Sequence, residues 1–264
     1  MSDLVRSDEN GIATLTMNRP QVRNALSMEM RHDLDAELVA IEHDPSIRCV
    51  VLRGEGEHFM AGGDVKSFME YAKMPAETRR ATFLARGHEL HTIMFTIQRM
   101  SQPIIASVRG AAAGAGVSFA LMCDMVIASE DAFFTLAYTA IGTSPDGSST
   151  YFLPRAVGTK KAMEIALLGD RFTAQEALEM GLINRVVATD DLVEETTKLA
   201  GRLAQGPTRA YGNTKRLIRN SFNQSLEAQL QAEAEGFADS AMADDWVEGV
   251  TAFNEKRKPV FKGS

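Results

Sequence analysis

The sequence is short of cysteine, proline and tryptophan. Of 264 residues, two are cysteine, eight are proline and one is tryptophan. Cys49 and Cys123 both sit in apolar runs, Ile-Arg-Cys-Val-Val and Leu-Met-Cys-Asp-Met, and two such thiols cannot build a disulfide framework. No Cys/His cluster has zinc-ligand spacing, so no metal site is expected. No apolar run approaches the roughly 20 residues that a membrane helix needs. The first ten residues carry acids where a signal or transit peptide would be basic. No Ser/Gly/Pro-rich run marks a disordered linker. Basic charge is also in deficit: 28 Lys+Arg face 35 Asp+Glu, for a net charge of −7. That balance argues against a nucleic acid or an anionic membrane as partner. Together these absences predict a globular protein of a reducing cytoplasm.

What is present reads as an α/β pattern. Hydrophobic residues make up 45% of the chain, an ordinary share for a folded domain. Ile12–Met17 alternates between turn residues on both sides and predicts a strand. Ser27 is a candidate cap for a helix whose Met30, Leu34, Leu38 and Ile41 share one face. Cys49–Leu52, Ile104–Val108 and Met125–Ala128 have the continuous apolar character of buried strands. Strands separated by helices favour parallel crossovers. The last third is nearly all helical. Thr173-Ala174-Gln175-Glu176 forms a capping box, with Gly181 as a later stop. Helical periods then run through Leu192–Leu203, Thr214–Phe222 and Leu226–Phe237, punctuated by Gly206-Pro207. With no sheet left to cover, these helices predict an oligomer. The expected division is a core over residues 1–200 and a helical oligomerisation region over residues 201–264.

Three places invite a chemical reading. Phe59-Met60-Ala61-Gly62-Gly63-Asp64 follows one strand, and Arg109-Gly110-Ala111-Ala112-Ala113-Gly114-Ala115-Gly116 follows another. Neither contains the Gly-Lys-Ser/Thr of a phosphate loop, and the second lacks dinucleotide spacing. Small residues before a helix do bare backbone N–H groups at the positive end of its dipole. Two such loops could stabilise one oxyanion, or simply allow strand and helix to pack closely. The third place, Pro145-Asp146-Gly147, is a turn signal in which the aspartate can serve the turn alone.

Other patterns fail on inspection. Gly116-Val117-Ser118-Phe119-Ala120 resembles a nucleophile elbow, but all five histidines precede Ser118, whereas the hydrolase order needs one after it. His88-Glu89-Leu90-His91 is one residue short of the zinc motif H-E-x-x-H.

Taken in order, these motifs resemble the crotonase (enoyl-CoA hydratase/isomerase) superfamily over nearly the whole chain. The matching pieces are Arg19-Pro20 with Arg23-Asn24-Ala25-Leu26, Ala61–Asp64, Pro103–Gly116, Leu121–Asp124, Leu167–Asp170, Ala174–Ala177 and Glu248–Phe253. The resemblance implies an α/β fold, a crotonase-like spiral of β-β-α units with a C-terminal α-helical trimerisation region. It implies a homo-trimer or hexamer acting on an acyl-CoA thioester, with no cofactor beyond the coenzyme A of the substrate. Coenzyme A contacts are implied at Arg23, Ala25, Ala61, Gly62 and Asp64. The oxyanion donors fall on Gly63 and Ala115.

The departures from the family pattern are informative. The two glutamates of its hydratases fall on Ser118 and Tyr138, so the acid/base pair for water addition is missing. Asp146 falls where isomerases of the superfamily carry an aspartate base, and Leu136–Pro154 looks most like those isomerases. The implied activity is double-bond migration in an enoyl-CoA, with Asp146 as base and Tyr138, His91 and Ser118 in the substrate pocket. A carboxylate of ordinary pKa, about 3.9, is a weak base at neutral pH, so this reading calls for an apolar wall; Phe134, Leu136 and Tyr138 are the candidates. An aromatic acyl-CoA dehalogenase of the superfamily also has an aspartate at Asp146, as nucleophile, and a histidine at His91. A hydratase and a non-catalytic acyl-CoA-binding trimer complete the alternatives.

Overall fold

The computed structural model describes residues 2–264. Its chain opens with a hairpin, β1 (Leu4–Glu9) and β2 (Ile12–Met17), turned at Asn10-Gly11. The helix α1 (Met28–Glu42) starts at Ser27, whose hydroxyl accepts from the Met30 N–H at 3.0 Å. Then follow β3 (Cys49–Gly54), α2 (Val65–Ala72), α3 (Ala76–Arg99), β4 (Ile104–Val108), β5 (Ala111–Ala113) and α4 (Ala115–Met122). The chain continues through β6 (Met125–Ser129), β7 (Phe133–Thr135), α5 (Ser149–Leu168), β8 (Phe172–Thr173), α6 (Ala174–Glu179) and β9 (Arg185–Val187). It closes with α7 (Leu192–Ala204), α8 (Thr208–Asn220), α9 (Leu226–Ala241) and α10 (Asp244–Asn254).

The strands form two sheets. The larger has the order β1-β2-β3-β4-β6-β9, antiparallel only at the hairpin, and the smaller has the order β5-β7-β8. Each long parallel strand is followed by a short segment that pairs in the smaller layer. Met60 after β3 bridges Ala112 of β5, and β5 pairs with β7 after β6. This is a β-β-α unit repeated along a spiral, the α/β architecture expected from the sequence.

The strand period of two sorts residues onto the two faces of the large sheet. Val50 and Leu52 join the main core with Met17, Phe59, Ile93 and Phe119. Cys49 and Val51 face the other way with Ile105 and Ile127, onto Leu192, Leu199 and Leu203 of α7. Because α7 covers the sheet and runs through position 200 to Ala204, a division at residue 200 would cut a helix; the helices without a sheet begin at α8. Helix α8 also starts at Thr208, earlier than the expected Thr214. Its polar first turns, with Gly212, hide the apolar period there.

A nearly buried charge cluster ties α8 to the spiral. Asp124 accepts from Lys215 at 2.8 Å, from Arg219 at 2.7 Å and from the Ile104 N–H at 2.8 Å. Burial lowers the Lys215 ammonium below its ordinary value, a shift that the Asp124 charge opposes. The outer faces of the last helices are apolar and bare, with Phe237 71% and Phe253 83% exposed. Among the described residues, no helix is long and apolar enough to cross a membrane, and no group of three His, Cys, Asp or Glu is placed to hold a metal.

Candidate active site

One wall of the site is backbone. The segment after β3 is stitched on both sides: Ala61 donates its N–H to the Arg23 carbonyl at 2.9 Å, and Leu26 donates to Gly62 at 2.8 Å. On the far side Met60 donates to Ala111 at 3.0 Å and accepts from Ala113 at 2.9 Å. The two loops approach so closely that a Cβ on Gly116 would lie 2.3 Å from the Met60 carbonyl oxygen. Only glycine fits there. Ala115 is the first residue of α4, so its N–H has no carbonyl to bond within the helix. The Gly63 N–H donates to no carbonyl among the loop hydrogen bonds. Gly63 and Ala115 line one cavity of about 800 Å³.

The facing wall is made of side chains. Asp146, Tyr138, Leu136 and Ala137 border the cavity, with Phe68, Phe83, Gly87 and Leu90 from α2 and α3. Asp146 sits in the turn before α5, but its carboxylate does not serve that turn. Its main-chain carbonyl does, accepting from the Ser118 and Ser149 hydroxyls at 3.2 Å each. The carboxylate Oδ1 instead accepts from the Tyr138 hydroxyl at 2.7 Å. Burial, then the Asp146 charge, pushes the Tyr138 hydroxyl well above its ordinary value, so it stays a neutral donor. The turn around Asp146 is pressed onto α4: a Cβ on Gly147, at φ +65°, would stand 3.1 Å from the Ser118 Oγ. Ser118 itself is fully buried.

The expected residues therefore divide. Asp146, Gly63, Ala115, Ala61, Gly62 and Tyr138 border the cavity together. Ser118 does not reach it; it is the seat of the Asp146 turn, and this corrects its placement in the substrate pocket. His91 is also corrected. It lies exposed on α3, its ring 5.7 Å from His88 and 6.1 Å from Phe95, away from the cavity lining. Phe134 is no part of the wall either, being buried in a stack on Phe172 with ring centroids 5.6 Å apart. Arg23, Ala25 and Asp64 stand beside the first loop and not in the cavity lining. Arg23 is exposed in a left-handed turn, the Ala25 carbonyl accepts from Arg19 at 2.6 Å, and Asp64 pairs with Arg19 at 3.3 Å.

Four arginines on the cavity escaped the sequence reading: Arg31, Arg79, Arg80 and Arg86. For Arg31 a signal existed. It precedes Leu34 and Leu38 by three and seven residues, which puts a charged side chain on the edge of the apolar stripe of α1.

Residues 7–264 match the enoyl-CoA hydratase/isomerase family. The chain belongs to that family. It is 36% identical over 257 residues to 1,2-epoxyphenylacetyl-CoA isomerase of Escherichia coli, covering 97% of this chain and 96% of that protein. It is also 36% identical over 263 residues to 2,3-dehydroadipyl-CoA hydratase of the same organism, covering both chains in full. A crystal structure of an enoyl-CoA hydratase from Polaromonas sp. JS666 superposes with a TM-score of 0.91 at 34% identity, covering 98% of this chain and 99% of that one. An isomerase and a hydratase thus stand at the same 36% identity, and the choice between the two activities falls to the residues of the site.

Proposed function

We propose that this family member is an enoyl-CoA isomerase, moving a double bond along an acyl-CoA thioester with no cofactor beyond the coenzyme A of its substrate. One observation carries the reading: among the described residues, Asp146 is the only carboxylate on the cavity that Gly63 and Ala115 border. A serine and a tyrosine stand at 118 and 138, where the resemblance puts the two glutamates of hydratases. The N–H groups of Gly63 and Ala115 polarise the thioester oxygen and stabilise the dienolate, each worth on the order of 3 kcal/mol in the transition state. Asp146 takes a proton from C2, the electron pair moves into the enolate, and the same proton returns at C4 as the double bond closes between C2 and C3. Tyr138 holds the carboxylate in place. The bare apolar faces of α9 and α10 support a trimer or hexamer in which those faces are covered.

The test is turnover of trans-3-enoyl-CoA and trans-2-enoyl-CoA by wild type and Asp146→Asn, followed by absorbance and mass. Migration without gain of water, lost at least ~100-fold in the variant, supports the isomerase. Water addition that survives the substitution overturns the assignment. Halide release from a haloaromatic thioester would make Asp146 a nucleophile, and tight binding without turnover would make the protein a binder.

A further inference from the structure

The cavity of an acidic protein is lined by four arginines and one carboxylate. They are graded by depth. Arg80 is exposed, Arg79 and Arg86 are half-buried, and Arg31 is only 8% exposed. The outer three have ready explanations: Arg79 donates to the Ala72 carbonyl, Arg86 donates to the Tyr71 hydroxyl at 2.9 Å and stacks on Tyr71 and Phe68, and Arg80 is solvated. Exposed Arg80 also suits a phosphate of coenzyme A.

Arg31 has no such account. One terminal nitrogen donates to the Arg86 carbonyl at 3.1 Å, while Nε is buried without any partner. No carboxylate is hydrogen-bonded to it; Asp146 and Glu89 act only through space, and Arg86 repels it. Burial pushes its guanidinium below the ordinary value. A buried charge without a hydrogen-bonded counter-ion is costly, and a planar fork of five donors is matched by a carboxylate. A neutral acyl tail would leave that cost in place.

We propose that Arg31 reads an anionic end on the acyl chain, so that the substrates are coenzyme A monothioesters of dicarboxylic acids. This rests on the acyl-CoA reading above and extends it to the distal end of the substrate. The terminal carboxylate accepts from Arg31, supplying the hydrogen-bonded anion that the folded chain lacks. Arg86 adds a second positive charge nearby. The partner of the thioester is then set at two ends, by backbone amides at the carbonyl and by arginine at the tail.

The experiment compares unreactive saturated thioesters, so that it does not depend on catalysis. Binding of the glutaryl to suberyl series is measured by calorimetry against the pentanoyl to octanoyl series of equal length, with free coenzyme A as a third arm. Wild type is expected to bind the best dicarboxylyl thioester about 10- to 100-fold more tightly than its neutral counterpart. Arg31→Met is expected to abolish that preference while leaving free coenzyme A unchanged, and Arg31→Lys to restore part of it. Equal affinity for the two series in wild type overturns the proposal and leaves the acyl-CoA reading intact. Loss of free coenzyme A binding in Arg31→Met assigns the residue to the phosphates and overturns it too. Failure of wild type to bind either series overturns both readings. Should Arg31→Met not fold, the wild-type preference decides alone.

Discussion

The two walls of the cavity are built on opposite terms. The first wall is main chain, held by backbone hydrogen bonds on both sides of Ala61–Gly63 and closed by a glycine that touches Met60. At Gly116 and Gly62 neighbouring backbone oxygens leave no room for a side chain, and alanine at 115 still presents an N–H. The facing wall consists of side chains on half-exposed elements, with Asp146, Tyr138 and the arginines of α1 and α3. One wall can be changed in function only by breaking the fold. The other can be retuned residue by residue. On the proposed reading, the first wall activates a thioester and the second decides what happens to it.

The sharpest way to break this contrast is to put a carboxylate on α4, beneath the Asp146 turn. Ser118→Glu has no room beneath Gly147, so the Asp146 turn must lift away. We expect isomerisation to fall by at least ~100-fold without any gain of hydration, whereas Ser118→Ala, which loses one 3.2 Å hydrogen bond, stays near wild type. Hydration appearing in Ser118→Glu would show that the two walls are not independent. Next in size is Gly116→Ala, which sets a methyl against the Met60 carbonyl. Overpacking of this kind costs about 1–3 kcal/mol, read as a lower denaturant midpoint; an unchanged midpoint would mean that the loops yield freely.

Tyr138→Phe tests the adjustable wall. It removes the 2.7 Å hydrogen bond to Asp146 and keeps the ring. About a tenfold fall in kcat with KM little changed is expected; a larger change in KM than in kcat would make the tyrosine a substrate contact. The smallest effect is alkaline. Cys49 is pushed up to about 12 by burial, and burial raises Cys123 and Tyr138 as well. In the unfolded chain these groups lose protons from about pH 8.5 to 10, so there the native state binds more protons. Stability is therefore full below that range and falls as pH rises through it. The denaturant midpoint should decline above about pH 9, with a shallower decline in Cys49→Ala and Cys123→Ala. A native thiol that reacts readily with an alkylating reagent at pH 8 would contradict this.

The same contrast explains what the sequence could say. The buried strands Cys49–Leu52, Ile104–Val108 and Met125–Ala128 were legible because parallel strands covered on both faces are continuously apolar. The two glycine-rich loops were legible because neighbouring backbone forbids a side chain at Gly62, Gly110 and Gly116. Helix α3 was not specified, although it is 24 residues long. Its buried residues are confined to Leu90–Ile97, and its first half faces the cavity, so no apolar stripe marks it. His91 was placed by resemblance alone, and a helix rotates such a residue out of a pocket without changing its position in the chain. Asp146 was visible as a turn residue, but its bond to Tyr138 joins two loops and could be seen only in three dimensions.

That bond has a stereochemical consequence. On the proposed mechanism, with Oδ1 accepting from the Tyr138 hydroxyl, Oδ2 is the oxygen left to carry the migrating hydrogen. A single oxygen moving along one side of a planar dienolate must collect and deliver on that side. Deuterium placed at C2 should then reappear at C4 on the same face, and it should do so faster than it washes out into solvent.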